Sequence, residues 1–157
     1  MRIGFGYDAH RLKAGRKCIL CGVKIPCGFG PDGHSDADVP VHALIDALLG
    51  AAALGDIGKH FPDSDERYRD ADSIELLKMA YRLVYEKGYS IGNVDITIVL
   101  EAPRLSPYIE AMRENIAEAM GTDISNISVK ATTEEKMGFT GDGTGIASHA
   151  VALILQP

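Results

Sequence analysis

The stretch Arg2-Ile3-Gly4-Phe5-Gly6-Tyr7-Asp8-Ala9-His10 decides how the chain is read. Ile3, Phe5 and Tyr7 alternate with Gly4 and Gly6, so residues 2–8 are expected to form a strand with its apolar side chains on one face. The glycines permit close approach of another backbone. Asp8 and His10 keep the two-residue spacing, so both can leave the strand end toward one point. Working outward, short strands are expected at residues 18–20 and 23–26 around Gly22. Residues 29–34 read as a polar loop over a cleft. A helix over residues 37–54 follows, capped by Ser35 with Asp38 at the capping-box position. Asp72 is expected to cap a second helix, with Glu75 at its box position and Gly88 at its end. Residues 93–100 alternate as a strand through Val94, Ile96, Ile98 and Leu100. A third helix begins at Pro107 and ends at Gly121. The last two strands fall within residues 124–133 and 146–155. This order predicts one α/β domain over residues 1–157, a mixed β-sheet with helices mainly on one face. Three principal helices leave the other face uncovered, and self-association would bury it.

Composition narrows the function classes. The 157 residues carry 16 Lys plus Arg against 22 Asp plus Glu, a formal charge of -6. That balance disfavours a broad nucleic-acid-binding surface. Hydrophobic residues make up 46%, so a packed core is expected rather than disorder. No apolar run reaches the roughly 18 residues that span a bilayer, and the start has no signal-peptide pattern. A cytoplasmic protein is therefore expected. Three cysteines cannot complete an internal disulfide framework. Cys18 and Cys21 have the spacing of half a structural zinc site, but no second pair follows, and an apolar hairpin is the favoured reading.

Four constellations carry possible chemistry. Asp8, His10 and a returning His42 offer one carboxylate and two imidazoles, a donor set that suits a catalytic zinc with an open fourth position. Asp46, four residues after His42, is expected to orient its second ring nitrogen. The same residues also fit a surface turn and a satisfied helix histidine. His34 and Ser35 lie where a loop enters a helix and could receive a phosphate, although a cap and a polar loop residue are the favoured local reading. Thr132 and Thr133 can donate hydroxyl hydrogen bonds to phosphate, and Glu135 can hold a hard divalent ion; a strand and a solvated carboxylate explain them equally. Arg104 could meet an anion or be an exposed turn charge.

The ordered set of motifs resembles the 2-C-methyl-D-erythritol 2,4-cyclodiphosphate synthase family. The resemblance rests on residues 2–10, 34–39, 42–50, 55–63, 101–105 and 130–139, nearly the full chain. It implies a homotrimer around the sheets, with active sites between adjacent subunits and a cytidine diphosphate-linked substrate. It implies Zn2+, or another divalent transition metal, on Asp8, His10 and His42. It implies Mg2+ or Mn2+ at Glu135, between two substrate phosphates. Asp56 and Gly58 resemble ribose-contacting positions. Leu100, Ala102, Pro103, Arg104 and Leu105 resemble a cytidine-binding loop, with Arg104 in place of a common lysine. Ala131, Thr132, Thr133 and Phe139 match further substrate-contacting positions. His34, Ile57 and Phe61 are expected beside the methylerythritol unit, and Asp63 in a nearby controlling loop. His34, Ser35 and Thr133 are expected to position the reacting phosphates.

The implied reaction is attack of the substrate's own 2-phosphate on its β-phosphorus, giving the cyclic 2,4-diphosphate and CMP. Two other readings are weighed: a non-catalytic phosphate-binding oligomer and a metal-dependent phosphohydrolase. Asp142 and Thr144 depart from the family's common arginine and glutamate. That departure puts ligand binding in a trimer-axis cavity in doubt.

Overall fold

The computed structural model describes residues 1–156. Its main sheet has five strands in the order β4-β1-β7-β5-β6. These are β1 (Arg2–Ala14), β4 (Phe29–Pro31), β5 (Ser90–Val99), β6 (Ile127–Thr132) and β7 (Gly145–Leu155). Only β5 and β6 run parallel; the other neighbours are antiparallel. A separate hairpin joins β2 (Cys18–Leu20) to β3 (Val23–Ile25). Three longer helices cover one face: α1 (Val39–Ala51), α3 (Ser73–Glu86) and α4 (Ile109–Met120). The expected mixed sheet with helices on one face is thus present. Two four-residue helices, α2 (Ile57–His60) and α5 (Gly138–Gly141), are too short to leave a helical period in the sequence.

The alternation in β1 sets the layers. Ile3 is 71% and Phe5 62% exposed, on the face without helices. Gly4 and Gly6 face α1 instead. An added Cβ at either would lie 1.8 Å from a carbonyl oxygen of α1, that of Ala47 or Ala43 respectively. No side chain fits there, so the helix rests directly on the strand's backbone. Val39, Val41, Leu44, Ile45, Leu48 and Leu49 of α1 are fully buried, because sheet and α3 enclose it. In contrast, α3 and α4 are one-sided: Leu76, Leu77, Ala80 and Val84, then Met112, Ile116 and Met120, face inward.

Several expected boundaries move for identifiable reasons. Asp38, not Ser35, caps α1 and accepts from Val41 N. Ala37 has φ 56°, which is incompatible with a helix starting there, and Ser35 Oγ instead accepts from Ala37 N. The buried Asp38 carboxylate also accepts from Cys21 N and Gly22 N, tying the β2–β3 hairpin to the helix start. Burial, aided by repulsion from Asp36, outweighs those backbone bonds and pushes this carboxyl up to about 7. Residues 29–31 are not loop but the edge strand β4, paired with Leu12 to Ala14; Pro31 is tolerated at such an edge. Glu75 pairs with Lys78 rather than closing a capping box. Cys18 and Cys21 are buried thiols in the core, as an apolar hairpin requires. Among the described residues, no helix is long and apolar enough to cross a membrane.

Candidate active site

Even-numbered residues of β1 face α1, so Asp8 and His10 continue the row begun by Gly4 and Gly6. The Gly6–Ala43 contact brings α1 down onto the strand, and His42, next to Ala43, comes with it. Asp8 Oδ2 lies 3.3 Å from His10 Nε2 and 3.3 Å from His42 Nδ1. Ligands about 2.05 Å from a tetrahedral zinc are themselves separated by about 3.3 Å, so the observed spacing is that of a tetrahedron's edge. The three ligand atoms all lie within 4.8 Å of one another. Asp8 Oδ2 is buried and receives no hydrogen bond of good geometry.

The tautomers explain why. His10 Nδ1 lies 2.8 Å from the Asp32 carbonyl, an acceptor only, so that nitrogen carries the proton and Nε2 presents a lone pair. His42 Nε2 lies 2.8 Å from Ser73 Oγ and 3.2 Å from Ser35 Oγ. Asp46 does not orient His42, as the spacing suggested; its carboxylate accepts from Ile57 N at 2.7 Å and holds α2. Asp8 Oδ2 and His10 Nε2 thus present lone pairs to one spot beside His42 Nδ1, a set that fits a divalent cation. Without one, burial pushes the Asp8 carboxyl up, but the two imidazoles outweigh it and hold it below its usual value. The Asp8 carboxylate beside it, opposed by burial, raises His10.

A cavity of about 350 Å³ opens beside this triad. Its lining includes His34, Ser35, Ile57, Gly58, Phe61 and Asp63. His34 Nε2 is buried there without a partner. Asp56 caps α2 at the rim, accepting from Lys59 N, and is exposed. A second hollow of about 250 Å³ gathers Leu100, Pro103, Arg104, Leu105, Ala131, Thr132 and Thr133, with Glu101. Ala102 faces a different hollow, beside Lys136 and Asp142. Phe139 lines one with Ala9, His10 and Thr144. Glu135 is exposed in a left-handed backbone position beside Thr133, 3.4 Å from its hydroxyl. Asp142 and Thr144 bond to each other, closing a local turn.

The two main hollows are apart on one chain. The register runs Ala9–Ala147–Val99–Thr132 across four strands. Three strand spacings of about 4.8 Å put the triad and Thr132 roughly 14 Å apart along the same end of the sheet. The sequence had no signal for Ser73 or Asp32, whose contacts with the histidines depend on distant loops.

Fold and site together define a class: a one-sided mixed-sheet α/β protein with a carboxylate–imidazole triad that could hold a metal ion, beside a polar loop. The YgbB family model matches residues 1–155, and the chain belongs to that family. A 2-C-methyl-D-erythritol 2,4-cyclodiphosphate synthase of Clostridioides difficile (strain 630) is 58% identical over 99% of this chain and 96% of its own. The synthase of Moorella thermoacetica is 61% identical, again over 99% and 96%. A solved structure of such a synthase in a CDP-bound form superposes with a TM-score of 0.90 at 38% identity, covering 98% of this chain and 100% of that one.

Proposed function

We infer that this chain is a metal-dependent 2-C-methyl-D-erythritol 2,4-cyclodiphosphate synthase of non-mevalonate isoprenoid biosynthesis. It converts 4-diphosphocytidyl-2-C-methyl-D-erythritol 2-phosphate to the cyclic 2,4-diphosphate plus CMP. The observation that carries this is the tetrahedral-edge spacing of Asp8, His10 and His42, in a chain about as long as the synthases it matches. An oxygen of the 2-phosphate forms a bond to the β-phosphorus. The bond from that phosphorus to the bridging oxygen breaks, and CMP leaves with the electron pair. The nucleophile is already anionic, so no protein base is required. The chain's task is to bring two anions together in line.

His34 and the Ser35 hydroxyl hold the 2-phosphate beside the triad. Ile57 and Phe61 wall the methylerythritol unit, and Asp56 and Gly58 contact the ribose. Leu100, Ala102, Pro103, Arg104 and Leu105 cradle the cytosine, with Ala131 and Thr132. Thr133 orients the diphosphate. Asp63 and Phe139 shape the cleft. Asp8, His10 and His42 hold a divalent transition metal, Zn2+ for preference, and Glu135 holds Mg2+ or Mn2+, one of each per site. Bound there, such ions supply Lewis-acid polarisation of phosphate oxygens and neutralise charge on the departing CMP.

The functional unit is a homotrimer. The exposed face bearing Ile3, Phe5, Tyr7 and Val151 supports assembly. The roughly 14 Å between the two hollows supports a site completed by a neighbour. Three free thiols fit a reducing cytoplasm. The test is incubation of the protein and both metals with the full substrate, followed by 31P NMR. Equal amounts of cyclic diphosphate and CMP are expected. Linear phosphate products would show a hydrolase instead, and binding without turnover a non-catalytic module.

A further inference from the structure

We propose that Ser73, fixed by Asp36, is the positioning residue that sets His42 as a metal ligand. The inference rests on the metal reading of the triad and adds to it the device that prepares one ligand. Ser73 is the first residue of α3 and is fully buried. Its backbone N donates to Asp36 Oδ2 at 3.0 Å, and its hydroxyl donates to Asp36 Oδ1 in a short hydrogen bond. A serine hydroxyl has one proton. With that proton committed to Asp36, Ser73 Oγ can only accept from His42 Nε2, 2.8 Å away. His42 Nε2 therefore carries the imidazole proton. Nδ1 is left with its lone pair facing Asp8 Oδ2.

Two consequences follow from the same proton count. Ser35 Oγ already accepts from Ala37 N and lies 3.2 Å from the protonated His42 Nε2, so its own proton is free to donate to a bound anion. The loop carrying His34 and Ser35 is also joined to the start of α3. Asp36 N donates to the Ala71 carbonyl and Asp70 N to the His34 carbonyl. Ser73 thus links the phosphate-facing loop, α3 and the metal ligand through one hydroxyl.

The test compares Ser73→Ala and Asp36→Ala with the unaltered protein. Removing Ser73 Oγ frees His42 to take either tautomer. Removing the Asp36 carboxylate lets the Ser73 hydroxyl donate to Nε2, which moves the imidazole proton to Nδ1, where it blocks the ligand. Each variant is expected to lose roughly 10- to 100-fold in zinc affinity by chelator competition. The double variant is expected to lose no more than the worse single one. Long-range 1H–15N NMR of the metal-free proteins reads the tautomer directly. It should show Nε2–H at His42 in the unaltered protein, a mixture in Ser73→Ala and Nδ1–H in Asp36→Ala. Folded variants that keep the parent tautomer and zinc affinity within twofold would overturn the proposal. If the unaltered protein bound no zinc, the metal reading would fall by itself, and the tautomer of His42 would still decide the role of Ser73.

Discussion

Gly6→Ala tests whether the strand–helix contact builds the metal site. The new Cβ would lie 1.8 Å from the Ala43 carbonyl oxygen and 2.8 Å from Ala47 N. The obstacle is backbone, so no rotamer change relieves it. The carbonyl must retreat by about 1.6 Å to reach the 3.4 Å at which ordinary contact begins. Overpacking of this kind typically costs about 1–3 kcal/mol, and a rigid obstacle belongs at the upper end. For a domain of this size, about 3 kcal/mol lowers Tm by roughly 6–12 °C. Metal sites tolerate only about ±0.2 Å in ligand distance. His42 adjoins the displaced Ala43, so zinc affinity should fall by at least ~100-fold, an extrapolation beyond the effect of removing a supporting group. The assays are calorimetry in chelator, which isolates the fold, and zinc competition on the folded protein. Gly4→Ala meets Ala47 one turn further along α1 and should cost similar stability with a smaller loss of zinc. Gly28→Ala, with no atom within 4 Å of its Cβ, is the control. A Gly6→Ala protein that melts within 2 °C of its parent (about 1 kcal/mol or less) and keeps its zinc would refute the reasoning.

Gly50 is an exposed glycine inside α1 with no atom within 4 Å of an added Cβ. Gly50→Ala should therefore stabilise by up to about 1 kcal/mol, read as a rise in Tm of a few degrees; a fall would show that this face is occupied. Phe5→Asp places a carboxylate on the helix-free face, where Phe5 is 62% exposed. It should leave subunit stability within about 0.5 kcal/mol and abolish the trimer in sedimentation; an unchanged mass would refute assembly through this face. For Asp38, a folded value of about 7 against 3.8 means that the fold keeps a proton the unfolded chain releases between those values. Its contribution to stability is therefore full below 3.8 and lost as pH rises toward 7. Carboxyl 13C NMR should show a midpoint near 7, and titration at the ordinary value would show that the three backbone donors win.

The features legible in the sequence are those set by short periods. Alternation placed β1, its bare glycines and the Asp8–His10 pair, and the apolar run placed α1. The sidedness of the sheet followed from too few helices for two faces. What escaped was decided by long-range competition for hydrogen bonds. The spacing put the cap at Ser35, with Asp38 at the box position; Asp38 takes the cap because the hairpin amides of Cys21 and Gly22 also reach it. The four-residue spacing pointed to Asp46 as the partner of His42, and Ser73 holds it instead. The difference is that α2 supplies Ile57 N to Asp46 while α3 delivers Ser73, 31 residues from His42, to the ring. No local pattern carries that outcome.

Charge makes the last argument. The chain is net -6, and its two main hollows do little to reverse that for a substrate bearing a phosphate and a diphosphate. The second hollow is lined by one cation, Arg104, and one carboxylate, Glu101. The first contains Asp8 and Asp63 beside three histidines, and the proton counts at His10 and His42 leave those two rings neutral when they act as ligands. Side chains alone therefore cannot balance the phosphates; hydroxyls and backbone amides can direct them but carry no full charge. These charges predict that divalent ions contribute to binding as well as to turnover. CDP affinity should consequently fall at least ~10-fold in chelator, the equivalent of about 1.4 kcal/mol. Uncharged cytidine, which carries no phosphate to neutralise, should bind equally well with or without metal. Isothermal titration of both ligands separates the cases. Equal CDP affinity in chelator and in metal would mean that the protein's own groups neutralise the diphosphate, contrary to the charges lining these hollows.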